Sequence, residues 1–250
     1  MKYYFGIPYE FDRSKILQII REGVVADKAA YVCVADGVVL ATCQVDSEYR
    51  NILSGSMLNV CDSSYVPIYI RCIYGHKYIS TSGEWLFLEL LGWESMKMAF
   101  IGSTNSILTS LKQRLISQSD ICNTLFAELP FCKVEEFDYS SIAQMLNRFN
   151  ADIIWVSLGA PKQERFIANL AKYLTRGVVI AVGAVFGYQS GNQKLRRAPR
   201  PIITFKLEFL YRLLQDPEKQ WGRCSLILRT LPKMLLHEFN RKSGIDMDTQ

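Results

Sequence analysis

Three short apolar runs, rich in valine and isoleucine, dominate the pattern of the second half of the chain. These runs are residues 97–102, 152–159 and 177–186. Amphipathic stretches follow or separate them, at residues 104–117, 140–150 and 161–175. Runs of this kind are typical of strands buried on both faces, and the amphipathic stretches are long enough for helices. The alternation predicts a parallel sheet with right-handed crossovers, and a short strand is also expected within residues 132–137.

The first 95 residues are less regular but also predict an α/β arrangement. Residues 29–43 fit one or two strands, with Asp36-Gly37 as either a hairpin turn or a loop. Residues 48–55 and 82–93 have the pattern of helices, and residues 57–62 that of another strand.

The end of the chain is helical in pattern. A leucine stripe predicts a helix that ends near Asp216-Pro217; it consists of Leu207, Leu210, Leu213 and Leu214. A second helical stretch follows Trp221, and we expect Pro232 to interrupt or restart it because proline cannot donate an interior hydrogen bond.

Composition limits the classes of protein to which the chain can belong. The 250 residues, about half of them apolar, are enough for a full core, and the net charge of +5 does not by itself indicate a nucleic-acid partner. Residues 194–242 hold twelve Lys or Arg against four Asp or Glu, so the basic character belongs to the C-terminal part. The seven scattered cysteines are typical of buried apolar residues in a reducing cytoplasm. We expect neither a signal peptide nor a membrane-spanning segment.

The stretch SLGAPKQERF, residues 157–166, ends an apolar run with a rigid turn and a polar first helical turn. At the carboxyl edge of a parallel sheet, the unpaired N–H groups of such a helix favour phosphate or carboxylate. Pro161 suits the first helical position, and Lys162 could offset pyrophosphate charge. Gln163 and Glu164 could bond hydroxyls or a base ring. The alternative is an ordinary turn with a solvated polar first turn.

The segment AVGAVFGYQSGNQKLRRAPRPI, residues 181–202, combines a glycine-rich loop with a basic cluster. A polyanionic diphosphate would need such a loop, although a solvated basic loop is the alternative. Neither GxGxxG nor GxxxxGK[ST] occurs, which removes the best signals for NAD binding and ATP hydrolysis.

Taken together, SLGAPKQERFI, AVGAVFGYQSGNQKLRRAP and LEFLYRLLQDPEKQWGR resemble the WecG/TagA/CpsF glycosyltransferase family in order and spacing. The strong resemblance covers residues 151–223, and a weaker one reaches back to Asp36. It implies transfer of an N-acetylmannosamine-type sugar from a UDP donor to a lipid-linked acceptor in cell-surface polysaccharide synthesis, with inversion and without a metal or other cofactor. It also implies a Rossmann-like α/β body, residues 1–205, and a basic helical C-terminal appendage, residues 206–250. The protein would then be cytoplasmic and peripheral at the inner face of the cell membrane.

The resemblance also assigns site residues. Asp62 is the candidate general base, since an inverting transfer needs a carboxylate to take the acceptor proton. The candidate substrate-binding residues are Thr42, Gln44, Gly102, Gly159, Pro161, Gln163, Glu164, Arg196, Arg197, Arg212 and Arg223. No metal site is expected, because the only D-x-D, residues 246–248, lies in the terminal tail.

The chain departs from the family pattern at four positions. It has Ser63 and Gly187 in place of a glycine and an aspartate, and it has Ser80 and Trp85 in place of an arginine and an aspartate, with Glu84 as the candidate substitute. An altered acceptor or lost activity is therefore open. The alternatives to an active transferase are a weakened homologue that binds nucleotide-sugar or a partner transferase, and an unrelated nucleotide-binding enzyme such as a dehydrogenase.

The basic C-terminal segment has two interpretations of its own. Arg229, Lys233, His237, Arg241 and Lys242 opposite an apolar face suit anionic lipid headgroups. The alternative is a helix docked on the body with a solvated basic face. A homo-oligomer is compatible with the sequence.

Overall fold

The computed structural model describes residues 1–26, 28–93, 95–118, 123–191, 198–199, 201–202 and 208–243. Its main sheet has six strands, all parallel, in the order β4-β3-β8-β7-β5-β6. These strands are β3 Ala30–Ala35, β4 Leu58–Cys61, β5 Met98–Gly102, β6 Thr124–Ala127, β7 Ile153–Ser157 and β8 Val178–Ala181. The predicted α/β fold with a parallel sheet is therefore confirmed.

A small antiparallel hairpin precedes the sheet, and helices flank it. The hairpin strands are β1 Lys2–Tyr4 and β2 Ile7–Tyr9. The helices up to the middle of the chain are α1 Arg13–Val25, α2 Gly37–Val45, α3 Ser47–Ser54, α4 Val66–Tyr74, α5 Gly83–Leu91 and α6 Asn105–Gln118. Those that follow are α7 Tyr139–Phe149, α8 Lys162–Leu170, α9 Val185–Gln189, α10 Glu208–Gln215 and α11 Pro217–Lys242.

Helices cover both faces of the sheet, so the core has two halves. Successive residues of each central strand point into opposite halves: Ile154 and Val156 into one, Ile153 and Trp155 into the other. All four are fully buried. This explains why the strands appear in the sequence as continuous apolar runs rather than as alternating patterns.

Three predictions about local structure are wrong in whole or in part. Residues 132–137 contain a short 3₁₀ turn, Val134–Glu136, and the edge strand lies earlier, at β6. Residues 29–43 hold a single strand followed by a helix, because the Asp36 side chain accepts hydrogen bonds from the N–H groups of Val38 and Val39 and so starts α2.

The third error concerns Pro232, which lies inside α11 and does not interrupt it. Its missing N–H affects the carbonyl of Leu228, one turn earlier. Both residues are on the exposed side of the helix, where water can replace the lost partner. The apolar side of α11 contacts α2 and α4, so packing holds the helix together across the proline.

Helix α11 is docked on the body at several points. Glu238 is 1% exposed, and its carboxylate accepts hydrogen bonds from the backbone N–H of Phe5 and the hydroxyl of Tyr74. Arg241 pairs with Glu238 and donates to the carbonyl of Tyr3. No helix in the described ranges is long and apolar enough to cross a bilayer. The predicted boundary at residues 205/206 lies outside these ranges and stays a prediction.

Gly102 shows how closely the strand ends are packed. It has a φ of 95°, and a Cβ added there would lie 2.6 Å from the carbonyl oxygen of Ser157 on the neighbouring strand β7. Gly75, which ends α4, has a φ of 76°, yet nothing lies within 4 Å of a Cβ added there. Of these two glycines, Gly102 alone combines the left-handed backbone with a close approach of another strand.

We expect Gly102→Ala to lower the free energy of unfolding by at least about 3 kcal/mol, because it adds overpacking to backbone strain. Gly75→Ala is the matched control and should cost only about 1 kcal/mol, from strain alone. Urea unfolding of both variants measures the difference, and equal losses would contradict this account of Gly102.

Candidate active site

A cavity of about 780 Å³ opens at the carboxyl edge of the main sheet. Because the strands are parallel, the residues that follow them arrive at this one edge. Five strands each contribute a lining residue from the segment that follows them. These are Asp36 after β3, Asp62 after β4, Ser103 after β5, Gly159 after β7 and Gly183 after β8. Helix α11 forms the opposite wall with Gln220, Arg223, Cys224, Ile227, Leu231 and Met234.

The turn between β7 and α8 supplies one polar side of the cavity. Gly159 has a φ of 82°, Ala160-Pro161 is a cis peptide, and α8 begins at Lys162. Pro161 therefore lies just before the helix rather than at its first position. The side-chain amide oxygen of Gln163, Oε1, accepts a hydrogen bond from the backbone N–H of Gly159 at 3.1 Å, which joins the two ends of the turn.

Gln163 and Glu164 are buried, at 4% and 0% exposure, so the interpretation as a solvated first turn is wrong. Gln163 lines the cavity, whereas Glu164 lies behind it and contacts Gln163 and Tyr49. Burial raises the pKa of Glu164 to about 7, although hydrogen bonds from Gln163 and from the Tyr49 hydroxyl act in the opposite direction. The first turn of α8 thus holds a carboxyl group that titrates near neutral pH.

Asp62 follows directly after β4 and lines the cavity. Its backbone N–H donates to the carbonyl of Ala35 at 3.0 Å, which fixes the end of β4 beside the end of β3. A Cβ added at Gly83 would lie 3.9 Å from the Asp62 carboxylate, so the first turn of α5 passes close to it. The carboxylate is therefore presented to the cavity from a well-anchored strand end.

Two of the four departures from the family pattern, Ser63 and Gly187, line this cavity. Gly187 and Glu84 both line it, and the Glu84 carboxylate accepts a hydrogen bond from the amide of Gln189 at 2.8 Å. An acidic side chain thus reaches the region of Gly187 from α5 instead of α9. Trp85 does not line the cavity; its ring lies 4.5 Å from the guanidinium of Arg13.

Arg223 joins the helical wall to the sheet. Its guanidinium lies 3.1 Å from one carboxylate oxygen of Asp36, while the other oxygen caps α2. The cavity also contains Lys162, whose ammonium group donates to the carbonyl of Cys132 and lies 4.8 Å from the ring centroid of Phe137. The guanidinium of Arg223 therefore reaches the cavity, whereas Lys162 lines the cavity but directs its ammonium group to residues outside the lining.

Several predicted substrate-binding residues are not among those that line the cavity. Thr42 donates to the carbonyl of Val38 within α2, and Gln44 donates to the carbonyl of Phe5. Gly102 supports the end of β5, and Ser103 is the residue that reaches the cavity. Arg196 and Arg197 lie outside the described residues, as does the side chain of Arg212.

Sequence reasoning missed Asp36 as a site residue. The signal was present, because an aspartate followed by a long apolar stretch is typical of a helix N-terminus, and a helix after a parallel strand starts at the ligand edge. Its ion pair with Arg223 has no sequence signal. Among the described residues, no group of three or more His, Cys, Asp or Glu is arranged to hold a metal ion.

Comparison with known proteins identifies the family to which the chain is similar. The model of the glycosyl transferase WecG/TagA/CpsF family matches residues 3–244. The chain is 30% identical over 204 residues to the N-acetylglucosaminyldiphosphoundecaprenol N-acetyl-beta-D-mannosaminyltransferase of Bacillus subtilis strain 168, covering 79% of this chain and 76% of that protein. It is 26% identical over 215 residues to the enzyme of the same name from Bacillus spizizenii strain W23, covering 85% and 81%.

These matches agree with the cavity at the carboxyl edge of a parallel sheet, and they exclude the interpretation as an unrelated dehydrogenase. A family model that spans nearly the whole chain shows that the resemblance is not confined to the three motifs. The chain belongs to the WecG/TagA/CpsF family of glycosyltransferases.

Proposed function

We propose that this glycosyltransferase moves N-acetylmannosamine or a closely similar N-acetylhexosamine from a UDP donor to a sugar on a polyprenyl diphosphate. The observation that carries the proposal is the single cavity that gathers Asp62, Gln163, Lys162 and Arg223 at one sheet edge. Both Bacillus relatives are named for transfer of N-acetylmannosamine to N-acetylglucosaminyldiphosphoundecaprenol. Cell-surface polysaccharide synthesis is the process that such a product would serve.

Basic residues of the cavity lining would stabilise the diphosphate of the donor. Lys162 and Arg223 are cationic residues of the cavity lining, and Lys162 is the first residue of α8; its ammonium group would leave the Cys132 carbonyl to reach a diphosphate. Cations and helix N-termini stabilise the negative charge that grows on a departing diphosphate. These groups would supply the stabilisation that a bound metal supplies in other transferases, so we propose a metal-independent reaction.

Asp62 would act as the general base. Its carboxylate takes the proton of the acceptor hydroxyl while that oxygen forms a bond to C1 of the donor sugar. The bond from C1 to the diphosphate oxygen breaks at the same time, and UDP leaves with the electron pair. One displacement inverts C1, which converts an α-linked donor to a β-linked product. The names of both relatives specify a β-linked mannosaminyl product.

The C-terminal helix supports a location at a membrane surface. Arg229, Lys233 and His237 are exposed on α11, whereas Arg241 and Lys242 contact the body through Tyr3 and Ile73. The exposed large apolar side chains of the same helix are Trp221, Leu228, Leu236 and Phe239. Basic and apolar side chains together suit an anionic lipid interface, so we propose peripheral attachment at the inner face of the membrane that holds the acceptor.

Asp62→Asn tests the chemistry. We expect the turnover number to fall by at least roughly 100-fold, because the amide cannot accept the acceptor proton. The affinity for UDP-N-acetylmannosamine should change less than about twofold, because charge stabilisation of the donor rests on other groups. UDP release with polyprenyl-diphospho-N-acetylglucosamine as acceptor measures turnover, and calorimetry measures donor binding.

Glu48→Gln is the matched control, because Glu48 is an exposed carboxylate outside the cavity. It should retain the wild-type rate. Full activity of Asp62→Asn would overturn the role of Asp62. Donor binding by the wild type without turnover on any lipid-linked acceptor would instead favour a weakened homologue that binds nucleotide-sugar or a partner transferase.

The double variant Arg229→Glu/Lys233→Glu tests membrane attachment. We expect sedimentation with anionic liposomes to fall at least tenfold, because each basic residue near such a surface contributes about 1 kcal/mol. Lys15→Glu/Lys28→Glu changes the net charge equally at exposed positions outside α11 and should sediment like the wild type. Equal loss in both double variants would show a general charge effect and contradict attachment through α11.

A further inference from the structure

The amide of Gln163 is held between two loops of the cavity. Its carbonyl oxygen accepts from the N–H of Gly159, in the turn after β7. A Cβ added at Gly183, in the loop after β8, would lie 3.7 Å from this oxygen and 3.9 Å from the amide nitrogen. The amide therefore lies at the cavity surface between the two loops; the hydrogen bond from Gly159 restrains it, and Gly183 leaves space for about one methyl group beside it.

The carboxylate of Glu164 determines the orientation of that amide, that is, the side on which its nitrogen lies. The Gln163 nitrogen donates to one oxygen of Glu164 at 2.8 Å, and the Tyr49 hydroxyl donates to the other oxygen at 2.8 Å. An ionised carboxylate can only accept, so it binds the nitrogen end of the amide and rejects the oxygen end. A rotated amide would also bring its NH₂ group against the N–H of Gly159.

Because its orientation is fixed, the Gln163 amide offers a defined hydrogen-bond donor and acceptor to a ligand in the cavity. An amide has two N–H donors and two lone pairs on its oxygen. One N–H of Gln163 goes to Glu164, and one lone pair accepts from Gly159. One donor and one acceptor remain, in positions that do not exchange.

We propose that Glu164 is a positioning residue whose carboxylate orients the Gln163 amide for recognition of the nucleotide-sugar donor. This inference rests on the proposed function, because it assumes that a nucleotide-sugar occupies the cavity. Glu164 does not itself line the cavity, so it acts only through its neighbour. A charge-assisted hydrogen bond is about twice as strong as a neutral one, and it therefore restricts the amide more.

The position of Glu164 supports a role in function rather than in stability. It is fully buried in the core between the sheet and α3, and an ionised carboxylate in such a place opposes folding. A neutral residue of the same size would be more stable there. Groups that cost stability in this way are typical of sites where a defined geometry is needed.

Burial brings the pKa of Glu164 near neutral pH but keeps the shifted pKa values of its neighbours well above that range. The surrounding titratable groups are Tyr49 on α3, Cys33 on β3, Cys43 on α2 and Asp36 at the end of β3. Burial raises the pKa of Cys43 to about 12 and also raises those of Cys33 and Tyr49, so these three stay neutral. Asp36 is paired with Arg223.

The test compares donor binding by the full chain and by Glu164→Gln from pH 6 to 8, measured by calorimetry with UDP-N-acetylmannosamine. This donor has no group that titrates in that range. We expect wild-type affinity to rise with pH as Glu164 ionises, and Glu164→Gln to bind about tenfold more weakly at pH 8 with no pH dependence. Tyr49→Phe keeps the bond to Gln163 but loses a donor that lowers the pKa of Glu164, so its midpoint should move to higher pH.

Thermal unfolding between pH 5 and 8 separates this role from a folding defect. Folded Glu164 keeps a proton that the unfolded chain has already released above about pH 4.5, so wild-type stability should fall as pH rises toward 7. Glu164→Gln lacks this loss and should melt at a higher temperature than the wild type at pH 8 while binding the donor less well. The control Glu48→Gln should follow the wild type in both measurements.

The outcomes are distinct. Equal donor affinity and equal pH dependence in the wild type and Glu164→Gln would overturn the positioning role while leaving the proposed function intact. Weaker binding together with a lower melting temperature at pH 8 would also overturn it, because a structural defect would then suffice. No donor binding by the wild type would refute the proposed function itself.

Discussion

The parallel direction of the six main strands is the constraint on which the site depends. Hydrogen bonding in parallel register places the carboxyl ends of β3, β4, β5, β7 and β8 at one edge, however far apart they are in the chain. The acidic group of Asp62, the turn at Gly159 and the loop at Gly183 meet for this reason alone. Close packing at the strand ends, as between Gly102 and Ser157, then limits how far these strand ends can shift relative to one another.

The sheet edge alone would leave an open crevice, and α11 turns it into a cavity. Two acidic residues hold that helix in place, each at a different depth. Asp36 pairs with Arg223 at the cavity, where a ligand phosphate would compete with it. Glu238, which is itself buried, binds Phe5, Tyr74 and Arg241, and none of these four residues lines the cavity. One contact therefore belongs to the site, and the other belongs to the scaffold.

The strands of the second half could be predicted because both of their faces are buried and their sequences are continuously apolar, as at Ile153–Ser157. The turn at Gly159–Gln163 could be located from its residue types and family motif. The burial of Glu164 could not, since it depends on Tyr49, which lies 115 residues earlier in the chain. The same limit applies to Gln44, whose side chain donates to the carbonyl of Phe5, 39 residues earlier in the chain. Thr42 instead donates to the carbonyl of Val38 within α2, and its place away from the cavity depends on how that helix packs.

The bond between Glu238 and Phe5 joins positions 233 residues apart. The N–H of Phe5 is synthesised 233 residues before its buried acceptor, so the β1–β2 hairpin lacks this partner until α11 has been translated. The wall formed by α11 is made at the same stage, so a nascent chain that still lacks α11 has all six strands of the main sheet but not the opposite wall of the cavity. Completion of the cavity is thus tied to the time at which α11 emerges, after the sheet can already have folded.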